Sequence, residues 1–221
     1  KDKLRECYMS DYKKNNNQHF SKPGELQEFY DDGVAILDFI KKKRSSYFGK
    51  KGWYLVGIET QITMPPLPKY PNVLYLGYLD VVLYHEPSNT FKIIDIKTST
   101  NGWKDKTKKD EDKQFQLVLY KKFFAEQFGV PKENIQIEFL IVRRKIYTAG
   151  DFPQKRIQEF NPPSGKIKMN RATNSLNSFI EECFTSEGFT EEEMSPNPSK
   201  WNCTFCPYKN KKELCNVGVN S

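Results

Sequence analysis

Apolar residues change their spacing along this chain, and each change marks an element. Residues 1–16 place Leu4, Cys7, Tyr8 and Tyr12 about three and four apart, which predicts an amphipathic helix. Asn15 to Asn17 ends it, because short polar side chains compete for backbone hydrogen bonds. Pro23 opens a second helix, where its missing N–H costs nothing, with the stripe Leu26, Phe29, Tyr30, Gly33, Leu37 and Ile40. At Trp53 the period falls to two. The run 53–62 sets Tyr54, Val56, Ile58 and Ile62 on one face and Leu55, Gly57 and Glu59 on the other. The proline-rich segment 64–68 cannot continue a ladder and reads as a loop. Strands follow at 73–84 and 91–97, joined by a hairpin-like turn over 86–90. Residues 111–129 form a long helix stopped by Gly129 and Pro131, and 135–143 is another strand. A turn at 149–153, a weaker strand at 155–160 and a helix near 170–184 complete the pattern. The order helix, three strands, helix, strand predicts an α/β fold with a mixed central sheet flanked by helices. It is not the regular alternation of a doubly wound sheet.

A chain of 221 residues suits one domain, or one with a small appendage. We place the core at 1–193 and a Pro- and Asn-rich, cysteine-bearing tail at 194–221. No apolar run reaches membrane-spanning length and no segment reads as a signal peptide, so no membrane partner and an intracellular setting are expected. There is no Walker-type loop and no dinucleotide fingerprint, which argues against nucleoside triphosphate binding. The net charge of +7 favours a polyanionic partner. Lysines and arginines gather at 41–44, 50–51, 104–113, 121–122 and 143–145, a distribution that suits a nucleic-acid groove.

Three charges interrupt the strands. Asp80 lies inside the apolar run 73–84, while Asp95 and Lys97 lie two apart within 91–97 and share a face, with Ile94 and Ile96 directed into the core. Edge-strand charges or one ion pair would explain one aspartate and the lysine, but not the second aspartate or Gly77. An acidic pair beside a lysine is a compact site for a divalent cation and an activated water. Gln116 and Tyr120 lie four apart on one helical face. Segment 98–112 is polar and leaves the active strand directly, and Lys104, Lys106, Lys108, Lys109 and Lys113 there are candidate DNA contacts. Trp103 either stacks on a base or packs against its own helix.

Gly77-x-x-Asp80, Asp95-Ile-Lys97 and Gln116-x-x-x-Tyr120, in this order, resemble the motifs of the PD-(D/E)XK nuclease superfamily. The closer likeness is to its RecB-like exonuclease branch, which also holds CRISPR-associated adaptation nucleases and phage and mitochondrial exonucleases. The resemblance covers roughly residues 25–145. It implies a restriction-endonuclease-like αβββαβ core, with Asp80, Asp95 and the carbonyl of Ile96 as ligands of Mg²⁺ or Mn²⁺. It further implies that Glu59 completes the acidic cluster, Lys97 orients the attacking water, and Gln116 and Tyr120 brace the site and touch DNA. Such a mechanism requires Glu59, Asp80, Asp95 and Lys97 to converge in one cleft. The implied activity is exonucleolytic hydrolysis of single-stranded DNA or duplex ends to 5′-phosphate products. A structure-specific endonuclease or a non-catalytic nucleic-acid-binding module are the alternatives. The implied setting is DNA repair, recombination or degradation in a bacterial cytoplasm, a phage-infected cell or an organelle. Family members carry a histidine on a helix before the first strand. Here only His19 and His85 exist and neither holds such a position, which leaves that place upstream of Lys1.

Cys203-x-x-Cys206 and Cys215 have metal-like spacing. They resemble the late cysteines of the iron–sulfur module in RecB-like nucleases, which implies a [4Fe-4S] cluster, with zinc as the rival metal. Cys7, Cys183 or an upstream residue would supply the fourth ligand.

Overall fold

A computed structural model describes residues 2–19, 21–49, 51–147, 149, 152, 154–190, 196–204, 206–209, 211, 213–215 and 217. Most of the turn expected over 149–153, and Lys50 of the second basic cluster, lie outside these residues. The chain divides into two compact units, one formed by 1–63 with 76–172 and the other by 64–75 with 173–221.

The first unit is built on a five-stranded mixed sheet in the order β1-β2-β3-β4-β5. The strands are β1 (Trp53–Met64), β2 (Tyr75–His85), β3 (Thr90–Ser99), β4 (Ile135–Arg143) and β5 (Ile157–Phe160). β2 and β3 are antiparallel with Val81 opposite Ile94, β3 and β4 are parallel with Asp95 opposite Phe139, and β4 and β5 are antiparallel. The β2–β3 connection closes through a single 3₁₀ turn, with Asn89 in the left-handed conformation that asparagine tolerates.

Helices α1 (Asp2–Lys14) and α2 (Pro23–Tyr47) precede the sheet. Ile36, Phe39, Ile40 and Tyr47 of α2 cover one sheet face, against Val81, Leu83, Ile94, Leu140, Val142 and Ile157. The stripe expected from spacing is therefore rotated. Leu37 is exposed, and Phe29 lies under the Arg144 guanidinium rather than in the core. Arg144 and Lys145 instead fasten the N-terminal half of α2 through Glu28 and Asp32.

Helix α4 (Glu111–Phe128) crosses the opposite sheet face. It buries Leu117, Val118, Leu119, Phe123, Phe124 and Ala125, and Phe124 meets Phe91 of β3 with ring centroids 5.5 Å apart. Gly129 closes it at φ +65°, a conformation that favours glycine. Segment 98–112, expected as an open polar loop, folds into the short helix α3 (Asp105–Lys109) and an anchored approach to it. The main-chain N–H and C=O of Trp103 both bond the Gln158 side chain, at 2.9 and 3.1 Å.

The second unit has its own small core, Tyr70, Val73 and Ile180 with Leu67, Leu176 and Phe184 around them. Ile180, Leu176 and the neighbouring Cys183 belong to α5 (Lys166–Cys183), which begins in the first unit. Gly188, at φ +91°, lies against Asn72, whose amide donates to the Glu187 carbonyl at 3.0 Å. The short helix α6 (Lys200–Thr204) carries Cys203. No helix among the described residues is long and apolar enough to cross a membrane.

Candidate active site

Antiparallel pairing brings Asp80 and Asp95 together. The β2–β3 register ends at Val81 and Ile94, and one further step along it sets Asp80 against Asp95 on the α4 side of the sheet. The ladder does not continue there. The Asp80 carboxylate itself accepts the Ile96 N–H at 2.6 Å, replacing a backbone partner and tying its position to β3. Ile96, expected to offer its carbonyl, thus has a defined role through its amide.

Asp95 is buried and Lys97 about one-third exposed. The Lys97 ammonium stands 2.9 Å from Asp95 Oδ2 and donates to Gln116 Oε1 at 2.9 Å. The Gln116 amide donates in turn to Tyr120 Oη at 3.0 Å. A chain of polar contacts therefore runs from β3 to two successive turns of α4, with the lysine at its open end. Burial pushes the Asp95 carboxyl above its ordinary value; the hydrogen bond and charge of Lys97 oppose that shift, and the nearby Asp80 adds to it. The strand face that carries Asp80 continues outward through Tyr78 and Leu76, both exposed, so the site opens in that direction.

Glu59 is placed differently from its neighbours in sequence. It is exposed and has φ +51°, the left-handed region that costs a residue with a Cβ about 1–2 kcal/mol. This is a bulge. A Cβ on Gly57 would overlap the Thr60 hydroxyl, so the glycine permits the bend. Beyond it the inward positions change parity: Trp53 and Gly57 are covered before the bulge, Thr60, Ile62 and Met64 after it. Strict alternation therefore fails for β1, and Tyr54, Val56 and Ile58 are exposed.

Among the described residues no group of three or more His, Cys, Asp or Glu side chains lies together so as to hold a metal ion, so the expected Glu59–Asp80–Asp95 cluster for Mg²⁺ or Mn²⁺ is not assembled. Asp80 and Asp95 are engaged by the Ile96 amide and Lys97, and Glu59 is turned outward on its bulge. The [4Fe-4S] and zinc expectations are corrected on the same finding. Cys203 is buried, Cys206 and Cys215 are half-buried, Cys183 is half-buried and Cys7 exposed, and all five thiols are free. A buried free cysteine behaves as a small apolar side chain, which is how Cys203 sits.

Both histidines serve local structure. His19 Nδ1 lies 2.7 Å from the Tyr8 hydroxyl, and His85 lies 2.7 Å from Ser88 Oγ and against the Trp53 ring. The Trp103 ring is half-buried against Phe139 and Phe160, at 5.0 and 6.5 Å between centroids. Lys104, Lys106 and Lys109 are exposed, Lys108 lies near Asp105, and Lys113 is paired with Asp110 at 2.8 Å. Two basic clusters are internally committed: Arg144 and Lys145 to α2, and Lys122 to Glu126, while Lys121 is buried. Lys41, Lys42, Lys43 and Arg44 remain on the surface.

A model of the PD-(D/E)XK nuclease superfamily matches residues 33–211, which include every residue of this site. No curated protein matches the chain.

Proposed function

Because the chain belongs to the PD-(D/E)XK nuclease superfamily, we propose that it hydrolyses phosphodiester bonds of DNA, working inward from an accessible end. The observation that carries this reading is the placement of Asp80, Asp95 and Lys97 on the adjacent strands β2 and β3, with Gln116 holding the lysine; Glu59, which the resemblance brings into the same cleft, has no part in it. Gln116 and Tyr120 on α4 also favour the RecB-like exonuclease branch.

Each residue has a task that its surroundings suit. The Lys97 ammonium orients the attacking water and offsets charge growing on the phosphate oxygens. Asp80 or Asp95 accepts the proton that the water loses, and burial, by raising the Asp95 carboxyl above its ordinary value, makes that group more basic. Water adds to phosphorus, the bond to the 3′ oxygen breaks, that oxygen takes a proton from solvent, and the products are a 5′-phosphate and a 3′-hydroxyl. Lys104, Lys106 and Lys109 supply exposed positive charge for the strand.

A second reading has its own support. A nucleic-acid-binding module that keeps the fold without cleaving fits the outward position of Glu59. Linear DNA labelled at one end, compared with covalently closed single-stranded and duplex circles, distinguishes the readings when assayed with added Mg²⁺, with Mn²⁺ and with chelator. Loss of label from linear DNA alone supports the exonuclease. Equal cutting of circles identifies an endonuclease, and binding without cutting identifies the module.

A further inference from the structure

Helix α4 carries a buried lysine that the active site does not use. Lys121 is only 9% exposed. Its ammonium donates to Ser164 Oγ at 3.3 Å, a neutral acceptor, and among the described residues it forms no ion pair. Burial pushes its pKa below the ordinary lysine value, with the charge of Glu133 acting the other way. An ammonium with three donors, a single hydroxyl and no close carboxylate is poorly compensated.

Lys121 and Ser164 wall a cavity of about 410 Å³, lined also by Lys132, Glu133, Gly165 and Lys166. That is many times the roughly 30 Å³ share of one water and within the range of ligand pockets. Three lysines are among the residues that line it, with Glu133 as the acidic one. Lys132 is shared with Glu126 at 3.4 Å, and Lys166 is exposed. Gly165 caps the N-terminus of α5, its carbonyl accepting the Met169 N–H at 3.0 Å, so the first N–H groups of an 18-residue helix belong to the same wall. A side chain added at Gly165 would meet open space, so the backbone is approachable there. Ammonium groups, a hydroxyl and helical N–H groups together match an anion with several oxygens.

We propose that this cavity is a phosphate-binding subsite for a nucleic-acid strand, contacted by Lys121, Lys166 and Ser164. The identity of the ligand as nucleic acid rests on the nuclease reading; the affinity for phosphate does not. The phosphate is either an internal phosphodiester or the strand's 5′-terminal group.

The test uses the full chain carrying Lys97→Ala, so that the strand stays uncut. Fluorescence anisotropy measures binding of a short oligothymidylate with and without a 5′-phosphate, across a salt series, and calorimetry measures inorganic phosphate. Lys121→Met, close in volume, is expected to weaken strand binding about tenfold and to reduce the log–log salt slope by about 1. Lys166→Ala weakens it less. Glu133→Gln, which alters only an exposed residue, tightens it and keeps the test valid should Lys121→Met misfold. A 5′-phosphate that adds affinity lost in Lys121→Met identifies the terminal group as the ligand; equal effects on both strands identify an internal phosphodiester. The proposal is overturned if all three variants bind like the parent chain, or if neither strand nor phosphate binds. Lysine-dependent binding here, with no cleavage by the parent chain that keeps Lys97, would defeat the nuclease reading and leave the subsite standing; cleavage by the parent without lysine-dependent binding would do the reverse.

Discussion

The Lys97 ammonium donates to the Gln116 side-chain oxygen at 2.9 Å, and this bond joins β3 to α4. A lysine has a long flexible stem, so its reach toward a phosphate is only as well defined as the groups that hold it. Asp95 holds it from the strand and Gln116 from the helix. Gln116→Ala removes one of the two. We expect single-turnover cleavage to fall about 100-fold, while strand binding changes little and stability falls by only about 1 kcal/mol. Unchanged cleavage would show that Lys97 is positioned by Asp95 alone.

Asp80 is expected to separate stability from activity. Its carboxylate accepts the Ile96 N–H at 2.6 Å, so Asp80→Ala leaves a covered amide without its partner and costs about 1–3 kcal/mol. Asp80→Asn retains an oxygen acceptor and is expected to melt close to the parent chain. Both variants are expected to lose cleavage. Thermal denaturation and the nuclease assay on the same preparations check this, and an Asp80→Asn chain that cleaves normally would remove Asp80 from the chemistry.

Asp95 gives a pH dependence with a definite sign. Burial raises its folded value, so between the ordinary carboxylate range and that raised value the folded chain binds more protons than the unfolded chain. Stability contributed by this group is thus lost as pH rises through that window, while its capacity to accept a proton is gained. Asp95→Asn is therefore expected to melt higher than the parent above the window, with the difference vanishing below it, and to be inactive. Parent cleavage is expected to rise with pH at a midpoint above the ordinary aspartate value. An Asp95→Asn chain that melts lower at neutral pH would contradict the assignment.

The bulge at Glu59 predicts a gain. Glycine adopts the left-handed region without the Cβ clash, so Glu59→Gly is expected to stabilise the chain by about 1 kcal/mol. For a chain of this size that is roughly 2–4 °C in melting temperature. A lower melting temperature would mean that the glutamate side chain contributes contacts that outweigh the strain.

How far the sequence could be read depended on which interaction decides each feature. β4 follows its apolar run to the residue, and α4 and the β2–β3 hairpin follow theirs closely, because periodicity and the stop at Gly129 directly reflect burial and turn chemistry. The approach of Asp80 to β3 follows from antiparallel register, which the short turn between the two strands sets. Three features were not legible for physical reasons. The parity switch in β1 depends on one residue's backbone conformation, for which Gly57 was the only signal. The face of α2 that is buried depends on ion pairs formed with residues more than a hundred positions away. Segment 98–112 is polar throughout, yet Gln158 and the ring of Phe139 anchor it. The cysteine spacing suggested a metal where the thiols stay free, since spacing along the chain does not by itself fix convergence in space. The burial of Lys121 gave one sequence signal that went unread, a lysine inside the most apolar stretch of α4.

In the proposed reaction Lys97, held by Asp95 and Gln116, acts on a DNA phosphodiester. The most direct measurement compares the purified parent chain with Lys97→Ala on end-labelled linear DNA under single-turnover conditions, with and without added divalent cations, alongside a binding titration of the same DNA. The parent is expected to remove nucleotides from the end and leave 5′-phosphate products. Lys97→Ala is expected to bind the DNA comparably and cleave it at least about 100-fold more slowly. A parent chain that binds but does not cleave under any of these conditions, or a Lys97→Ala chain that cleaves as fast as the parent, would contradict that reaction.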